Sequence, residues 1–205
     1  VEGLTFRPPA DGRIVRTADR DRVTDLDSLP SPYLTGEFDH LTADAWSSGK
    51  QLVALILETN RGCPYGCTFC DWGSSTLSRI RKFDLERVEA EMTWAASMGL
   101  QYWVLADANY GIMSRDVDVT KLLVSVKEKC GAPHSLGFNV AKNTTKHLTT
   151  IIDHLVAANV IPHFTLALQT RDEATLEAVR RTNISSDHYV ALAAAFRRRG
   201  LPIQA

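Results

Sequence analysis

Short apolar segments alternate with amphipathic helical patterns along most of the chain, and this alternation limits its fold more than any other feature. From about residue 51 the sequence predicts buried strands at 51–57, 102–106, 135–140 and 163–168, and the opening of a fifth strand at 201–204. Helical spacing of apolar residues predicts helices that open at Asp84, Asp116, Thr144, Asp172 and Ser186 or Asp187. The chain is therefore predicted to repeat a unit of one strand followed by one helix.

This order of elements indicates an α/β fold. Because short loops join each strand to the next helix, the strands are expected to run parallel, with right-handed crossovers. A partial (β/α) barrel and a doubly wound sheet both fit the order, and we favour the barrel. In either architecture the functional residues lie in loops that follow the carboxyl ends of the strands.

The two ends of the chain differ from its regular middle. Residues 1–45 contain four prolines and many Asp and Arg residues, so they are predicted to form a linker or extended arm. Tyr33, Leu34 and Phe38 are candidates for docking this arm on a neighbouring surface. Residues 46–205 are predicted to form the barrel core. The fifth strand only begins before the last residue, and the first residue is not methionine, so the barrel is expected to be incomplete at both ends.

Composition and charge narrow the class of protein without identifying it. The 205 residues carry a formal net charge of −1, which gives no electrostatic case for binding nucleic acid or an anionic membrane. No apolar run approaches the roughly 18 residues that span a bilayer. No signal peptide is visible, and three of the four cysteines are crowded together, unlike a secreted disulfide framework. We therefore expect a cytoplasmic protein that contacts neither membrane nor nucleic acid.

Cys63, Cys67 and Cys70 lie within eight residues, directly after the first predicted strand. Thiolates are soft ligands that favour zinc, copper(I) or iron–sulfur clusters. A structural zinc site and an ordinary 4Fe–4S cluster each take four protein ligands. No fourth ligand is evident, since Cys130 is interpreted as a buried apolar thiol at a helix end, and nothing around His40 indicates a ligand. With three thiolates, one iron of a cluster is left open to bind a substrate or cosubstrate.

The segment Cys63-Pro-Tyr-Gly-Cys67-Thr-Phe-Cys70 resembles the three-cysteine motif of the radical S-adenosylmethionine (SAM) enzymes. The spacing of three and then two residues, with the aromatic Phe69 before the last cysteine, carries the resemblance. It implies that the cysteines hold a 4Fe–4S cluster whose fourth iron binds SAM. It also implies reductive cleavage of SAM to a 5′-deoxyadenosyl radical that abstracts a hydrogen atom from a substrate. A non-catalytic zinc or iron–sulfur binding module is the alternative.

The resemblance further implies which residues contact the cofactors. Phe69 is expected to pack near the adenine of SAM, while Gly62 and Gly66 let the backbone pass close to the cluster. Many relatives carry a Gly-Gly-Glu-like stretch after the second strand, and this chain departs from it with Ala106-Asp107-Ala108-Asn109. The polar residues expected to contact SAM or the substrate are Asp107, Asn109, Asn139, Lys142, Asn143, Gln169 and Arg181. For Arg181, a solvated helix end is the equally weighted alternative.

Two further stretches are similar to the branch of this family that binds cobalamin. They are residues 29–38, which resemble the segment between a cobalamin-binding domain and the barrel, and the sequence from Thr59 to Trp72. The similarity implies a cobalamin domain before Val1 and cobalamin-dependent methyl transfer to an unactivated carbon, with rearrangement or other non-methyl radical chemistry as the alternative. It also implies a small-molecule or peptide substrate and an electron donor such as flavodoxin or ferredoxin. Trp72 and Tyr110 are interpreted as packing residues.

Overall fold

The structure, a computed structural model, describes residues 1–9, 12–21, 23–40, 54–70 and 79–201. The strands are β1 (Thr5–Phe6), β2 (Val15–Arg16), β3 (Leu55–Leu57), β4 (Asn60–Arg61), β5 (Arg81–Lys82), β6 (Tyr102–Leu105), β7 (Ser135–Asn139) and β8 (Ile161–Thr165). The helices are α1 (Leu85–Ser97), α2 (Arg115–Cys130), α3 (Leu148–Ala157), α4 (Glu173–Ala178) and α5 (Ser186–Arg198). Strands and helices alternate from β5 to β8, as predicted.

A parallel sheet of four strands, in the order β3-β6-β7-β8, forms the centre of the described fold. In its register Leu55 pairs with Trp103, and Ser135 pairs with Ile161. The strands lie beside one another in chain order, as in a β/α barrel, whereas a doubly wound sheet reverses its strand order at a switch point. The predicted α/β class with parallel strands is therefore confirmed.

Apolar side chains between the sheet and the helices form the core. The fully buried ones include Trp103, Leu105, Leu123, Leu136, Ile151 and Leu155. Helix α1 packs against α2, and α2 packs against α3. Burying one large apolar side chain stabilises a fold by about 1.5–3 kcal/mol, so this core fixes the strands and the loops that leave them. Within the described ranges, no helix is long and apolar enough to cross a membrane.

Several helix ends follow local sequence signals. Helix α1 begins after Asp84, and the chain leaves it through Gly99 with a φ of 71°. Helix α2 ends at Gly131, whose φ of 79° lies in the left-handed region that favours glycine. At the start of α4 the Asp172 carboxylate accepts a hydrogen bond from Thr175 N at 2.8 Å. These ends set where each loop returns to the sheet.

The N-caps of α3 and α5 differ from the predicted residues. His147 precedes α3, so the prediction of Thr144 as the cap is wrong. The Thr144 hydroxyl instead accepts a hydrogen bond from the backbone two residues later, because threonine serves a turn as readily as a helix start. Helix α5 is capped by Ser185, whose hydroxyl accepts a bond from the backbone, and not by Ser186 or Asp187.

The strands also differ from prediction in their extent and burial. Strand β8 spans Ile161–Thr165 instead of the predicted 163–168, because its ladder with β7 runs from the Ser135–Ile161 pair to the Asn139–Thr165 pair. Ile56 of β3 is 60% exposed although both neighbours are buried, so the expectation that this strand is buried on both faces is wrong. Residues 51–53 of the first predicted strand, and 202–205 of the fifth, lie outside the described residues.

The amino-terminal segment, predicted as a linker or arm, packs on the fold through Tyr33. The Tyr33 ring centroid lies 5.0 Å from that of Trp94 on α1, and its hydroxyl donates to the backbone oxygen of Ile56. Leu34 is 46% exposed and does not share this docking. Strands β1 and β2 pair as a short antiparallel ladder that the sequence analysis did not predict. Residues 41–45 lie outside the described residues.

Candidate functional site

A cavity lies at the carboxyl edge of the parallel sheet, where the loops after β3, β6, β7 and β8 meet. Its empty space, including the open mouth, is about 710 Å³. The predicted site residues that line it are Cys63, Cys67, Phe69, Cys70, Asn109, Asn139, Lys142, Gln169 and Arg181. The structure thus brings together side chains from five separate stretches of the chain.

The cysteine loop leaves β4 and turns into the cavity at Gly62. The φ of Gly62 is 115°, at which a residue with a Cβ atom is strained. Cys63 and Cys67 are buried, and Cys70 is half-buried. Cys70 N donates to Cys67 O at 3.2 Å, and Thr68 N donates to the carbonyl at the C-cap of α4 at 3.1 Å. These bonds hold the three thiols on one wall of the cavity.

Two of the thiols accept hydrogen bonds from side chains in other loops. Asn109 Nδ2 donates to Cys63 Sγ at 3.2 Å. Lys142, which is 8% exposed, donates from Nζ to Cys67 Sγ. The same ammonium lies 4.3 Å from the centroid of the Tyr65 ring, within reach of a cation–π attraction. A charged donor and an uncharged donor therefore each lie beside one sulfur of the cysteine loop.

Tyr65 is a cavity residue that the sequence analysis missed. Its hydroxyl donates to Asn143 Oδ1, so the amide oxygen that was expected to contact ribose or substrate already has a partner. Burial raises the pKa of the Tyr65 hydroxyl, and the charge of Cys63 adds to the rise. The sequence could have predicted this place in the cavity, because Tyr65 lies between Cys63 and Cys67 and a side chain at that position lies close to the thiols. At Gly66, by contrast, no heavy atom lies within 4 Å of an added Cβ, so no crowding requires glycine.

Asp107 follows β6 as predicted but lies outside the cavity lining, and its side chain is fully buried. Its Oδ1 accepts hydrogen bonds from the backbone N–H groups of Thr59 at 2.7 Å and Asn60 at 3.2 Å. Its Oδ2 accepts bonds from the Asn60 amide at 2.8 Å and from the Thr59 hydroxyl. A carboxylate offers about four acceptor positions, and these four bonds occupy them, so Asp107 has no position left for the expected contact with SAM or the substrate. Asp107 instead fixes the segment that leads to Cys63.

Stability is expected to depend on pH through Asp107. Burial raises the pKa of its carboxyl from 3.8 to about 6, while the bonds from Thr59 and Asn60 oppose the rise. Because the folded chain holds this proton more tightly than the unfolded chain, the contribution to stability is fully present below pH 3.8 and is lost as the pH rises through about 6. A tenfold change in proton affinity is worth about 1.4 kcal/mol, so the free energy of unfolding is expected to fall by roughly 3 kcal/mol over this range.

Urea unfolding of the metal-free protein between about pH 4 and about pH 7 measures this loss. In the variant Asp107→Asn, which has no proton to lose, the free energy of unfolding is expected to fall less over this interval. Burial also raises the pKa of Asp116, but that residue is present in both proteins and its effect cancels in the comparison. An equal fall in both proteins would contradict the prediction.

The other predicted residues line the outer part of the cavity. Phe69 is 53% exposed beside the cysteines. Gln169 has a left-handed φ of 65°, which turns the chain after β8. Arg181 donates to Asn183 Oδ1 at 2.8 Å and to the backbone oxygen of Ala167. Arg181 is therefore tied to the loop after β8 and does not form the solvated helix end that was the alternative.

Trp72 and Tyr110 are interpreted from the sequence as packing residues, and the structure describes Tyr110. Its side chain is fully buried, and its hydroxyl donates to the backbone oxygen of Asp116 at 2.9 Å. The pKa of the Tyr110 hydroxyl is raised by this burial, which keeps it neutral. Tyr110 therefore packs in the core and presents no face to the cavity. Trp72 lies outside the described residues.

Cys130 does not supply a fourth thiol to the cavity. It is the last residue of α2 and is exposed, so the prediction of a buried thiol is wrong. Because α2 runs from the carboxyl ends of the strands back to their amino ends, Cys130 lies at the opposite edge of the sheet from the cysteine loop. His40 is exposed and also stands apart from the cavity lining. Among the described lining residues there are three cysteines and no histidine.

The donor set of the cavity fits a cluster with one open iron. Three thiols from one loop share a cavity that has further room for a ligand. In the part of the chain that the structure describes, no three His, Cys, Asp or Glu side chains are grouped to hold a single metal ion. A 4Fe–4S cluster does not need its protein ligands grouped around a single ion, because each thiolate binds a different iron.

Residues 57–204 match the family model of the Radical SAM superfamily. The match covers well over half of the chain and includes the whole cysteine loop. The chain belongs to the radical SAM superfamily. The predicted family is thus confirmed, and membership of the radical SAM superfamily implies a 4Fe–4S cluster and SAM as cofactors.

Two curated relatives of this radical SAM chain are methyltransferases by name. One is the cobalamin-dependent radical SAM methyltransferase TokK of Streptomyces tokunonensis, 40% identical over 168 residues, or 82% of this chain and 24% of the relative. The other is 2-(S-pantetheinyl)-carbapenam-3-carboxylate methyltransferase of Streptantibioticus cattleyicolor, 39% identical over 160 residues, or 78% of this chain and 23% of the relative. The chain spans about a quarter of the length of these relatives, and the similarity agrees with the cobalamin branch named from the sequence.

Two solved radical SAM structures share the fold. The radical SAM methyltransferase TsrM from Kitasatospora setae, solved with tryptophan substrate and a SAM analogue, has a TM-score of 0.61 at 17% identity, covering 73% of this chain and 29% of that one. The cobalamin-dependent SAM radical enzyme OxsB has a TM-score of 0.65 at 16% identity, covering 99% of this chain and 29% of that one. At these identities the likeness shows the fold alone, and it agrees with a partial β/α barrel.

Proposed function

We propose that this radical SAM chain holds a 4Fe–4S cluster through Cys63, Cys67 and Cys70 and binds SAM at the fourth iron. The observation that carries the proposal is the placement of three thiols on one wall of a cavity whose described lining offers no fourth cysteine and no histidine. When bound, the cluster supplies one electron that cleaves SAM into methionine and a 5′-deoxyadenosyl radical. An open iron suits this chemistry, because a fully ligated cluster has no position for a cosubstrate.

Three further cavity residues, Phe69, Gln169 and Arg181, are proposed to bind and orient SAM. Phe69 offers an exposed aromatic face against which the adenine can pack. Gln169 offers an amide that both donates and accepts hydrogen bonds, which suits the hydroxyls of a ribose. Arg181 places a guanidinium at the same wall, where it favours a carboxylate. Together these side chains hold SAM in one orientation and exclude water and stray hydrogen donors.

We further propose that the protein transfers methyl groups to an unactivated carbon of a small molecule or peptide with the help of cobalamin. Two relatives near 40% identity that carry methyltransferase names support this proposal. The resemblance of residues 29–38 to the segment after a cobalamin-binding domain supports the use of cobalamin. The proposed electron donor is a flavodoxin or ferredoxin, and a reducing cytoplasm would keep the three thiols available.

The deciding experiment is anaerobic reconstitution of the protein, followed by iron and sulfide analysis and an EPR spectrum of the reduced sample with and without SAM. About four irons per chain and a spectrum that changes on adding SAM are expected. Formation of 5′-deoxyadenosine, measured by chromatography, then reports the cleavage. The matched control is Cys130→Ala, which removes the exposed cysteine and leaves the cavity intact.

Three results would contradict the proposal in different ways. Zinc in place of iron, or a spectrum indifferent to SAM, would favour the non-catalytic metal-binding module. Loss of metal in Cys130→Ala would show a fourth protein ligand and a closed site. Methyl-labelled SAM with reduced cobalamin tests the finer proposal: labelled methylcobalamin supports methyl transfer, whereas 5′-deoxyadenosine without it favours non-methyl radical chemistry.

A further inference from the structure

Lys142 is a buried cation whose described side-chain partners, Cys67 and Tyr65, both belong to the cysteine loop. The side chain is 8% exposed, its Nζ donates to Cys67 Sγ, and the ammonium lies 4.3 Å from the Tyr65 ring centroid. Among the described ion pairs none includes Lys142. Its charge therefore faces a sulfur and an aromatic ring, and no carboxylate pairs with it in that set.

A buried ammonium is costly unless a negative charge or a set of acceptors compensates it. The Tyr65 ring compensates part of the charge through its negative face. Among the described groups, the larger compensation comes from the Cys67 sulfur, which carries negative charge when it binds metal. Because charges attract more strongly at low local dielectric, Lys142 acts on that sulfur at short range and with little screening.

Asn109 provides an uncharged donor that can be compared with the charged donor Lys142. It donates to Cys63 Sγ at 3.2 Å with an uncharged amide. Hydrogen bonds to sulfur and the net charge around a cluster both set its reduction potential. Reduction adds one electron, and hence one negative charge, to the cluster. A positive charge beside a ligand sulfur stabilises the reduced form more than the oxidised form, and an uncharged donor has the smaller effect.

We propose that Lys142 is a positioning residue whose positive charge, held against the Cys67 sulfur, makes the cluster easier to reduce before SAM binds. This inference rests on the proposed cluster at Cys63, Cys67 and Cys70. The cluster takes one electron from the donor, and no bond is made or broken at Lys142. The role differs from the contact with ribose or substrate expected from the sequence, because the ammonium is directed at a metal ligand.

The test is a reductive titration with dithionite, followed by EPR in the absence of SAM, on the reconstituted protein and its variants. Lys142→Met removes the charge and keeps the apolar stem, and its cluster is expected to be at least tenfold harder to reduce. A tenfold change corresponds to about 59 mV for a one-electron couple. Lys142→Arg keeps the charge and is expected to stay within about threefold of the unsubstituted protein. Lys146→Met, which removes an exposed lysine four residues later, is the matched control and is expected to change nothing.

The outcomes separate this inference from the proposed function. If the unsubstituted protein holds no cluster, the proposed function fails. If it holds one and Lys142→Met is reduced equally easily, the inference fails while the proposed function stands. A variant with unchanged reduction but weakened response to SAM would make Lys142 a SAM ligand, and this too would overturn the inference.

If Lys142→Met takes up no cluster, the iron bound per chain is compared between the other variants and the unsubstituted protein. Lys142→Gln then replaces it as the uncharged variant that retains a hydrogen-bond donor. If only Lys142→Arg loads iron like the unsubstituted protein, loading itself follows the positive charge and supports the inference. If Lys142→Arg also fails to load, the site requires the lysine shape and not its charge, and the inference is overturned.

Discussion

Replacing Cys63, Cys67 or Cys70 with alanine, one at a time, is expected to abolish the cleavage of SAM. Two thiolates hold two irons of a 4Fe–4S cluster and leave the other two to solvent, so the cluster is lost or remains in a form that binds SAM poorly. Formation of 5′-deoxyadenosine should fall roughly 1,000-fold or more, equivalent to about 4 kcal/mol at 1.36 kcal/mol for each tenfold. Iron per chain and the EPR signal of the reduced protein should fall with it.

Loss of the cluster must be distinguished from loss of the fold. Cys63 and Cys67 are buried, but alanine is only slightly smaller than cysteine and needs no hydrogen-bond partner. The free energy of unfolding of metal-free Cys63→Ala and Cys70→Ala is therefore expected to change by about 1 kcal/mol or less. Cys67→Ala leaves the buried Lys142 ammonium without its sulfur partner, so its free energy of unfolding is expected to fall by about 1–3 kcal/mol. Circular dichroism and urea unfolding check this point before any activity is measured.

The matched control for these variants is Cys130→Ala, because Cys130 is exposed at the amino-end edge of the sheet. It should load iron and cleave SAM like the unsubstituted protein. Iron that stays bound in Cys63→Ala, with SAM cleavage unchanged, would contradict the role of the triplet.

The cysteine side of the site was predictable because its information is local. Three soft ligands within eight residues identify a metal-binding loop without reference to distant residues. The apolar strand before the cysteine loop predicts where the loop lies in the fold, since loops after parallel strands meet at one edge of the sheet. For the same reason Asn109, Lys142 and Gln169, each at or after a predicted strand end, reach the same cavity.

The partners of individual side chains were not predictable, because they depend on distant residues. Asp107 has the expected residue type at the expected place, yet its carboxylate is directed at Thr59 and Asn60, which precede it by more than forty residues. Tyr65 meets Lys142 and Asn143 in the same way, across the cavity. Spacing along the chain carries no signal for such pairings.

Cys130 shows a second limit of sequence patterns. It follows the buried Val126 by four residues and so continues the apolar stripe of α2. The pattern therefore predicts burial. The helix ends at this residue, however, and the side chain is exposed because a stripe is buried only as far as a neighbouring element covers it.

The second large effect is expected from Asp107→Ala, which should destabilise the fold and the cysteine loop together. The substitution leaves four donors on Thr59 and Asn60 without their acceptor in a buried place. Each buried donor without a partner costs about 1–3 kcal/mol, and the costs are not additive. We expect the free energy of unfolding to fall by about 3–5 kcal/mol, a large fraction of the roughly 5–15 kcal/mol that is usual for a domain.

The same substitution is expected to reduce iron loading even under conditions where the protein stays folded. Thr59 and Asn60 lead directly into Gly62 and Cys63, so releasing them frees the start of the loop that positions the first thiol. Loading is measured as iron per folded chain after reconstitution, with folding followed by circular dichroism in the same samples.

Asp116→Ala is the matched control for this comparison. Asp116 is also a fully buried carboxylate, and it accepts bonds from Gly111 N at 2.8 Å and Met113 N at 3.0 Å, in a loop that carries no cysteine. It should therefore lower stability by a few kcal/mol, about 1–3 for each released donor. Because the same loop carries Asn109, which donates to Cys63 Sγ, the iron per folded chain is expected to fall slightly, and much less than in Asp107→Ala. If both variants lose iron in proportion to their stability, Asp107 acts through the fold as a whole. A much larger loss of iron in Asp107→Ala shows that this carboxylate positions the cluster loop, as its four bonds to Thr59 and Asn60 indicate.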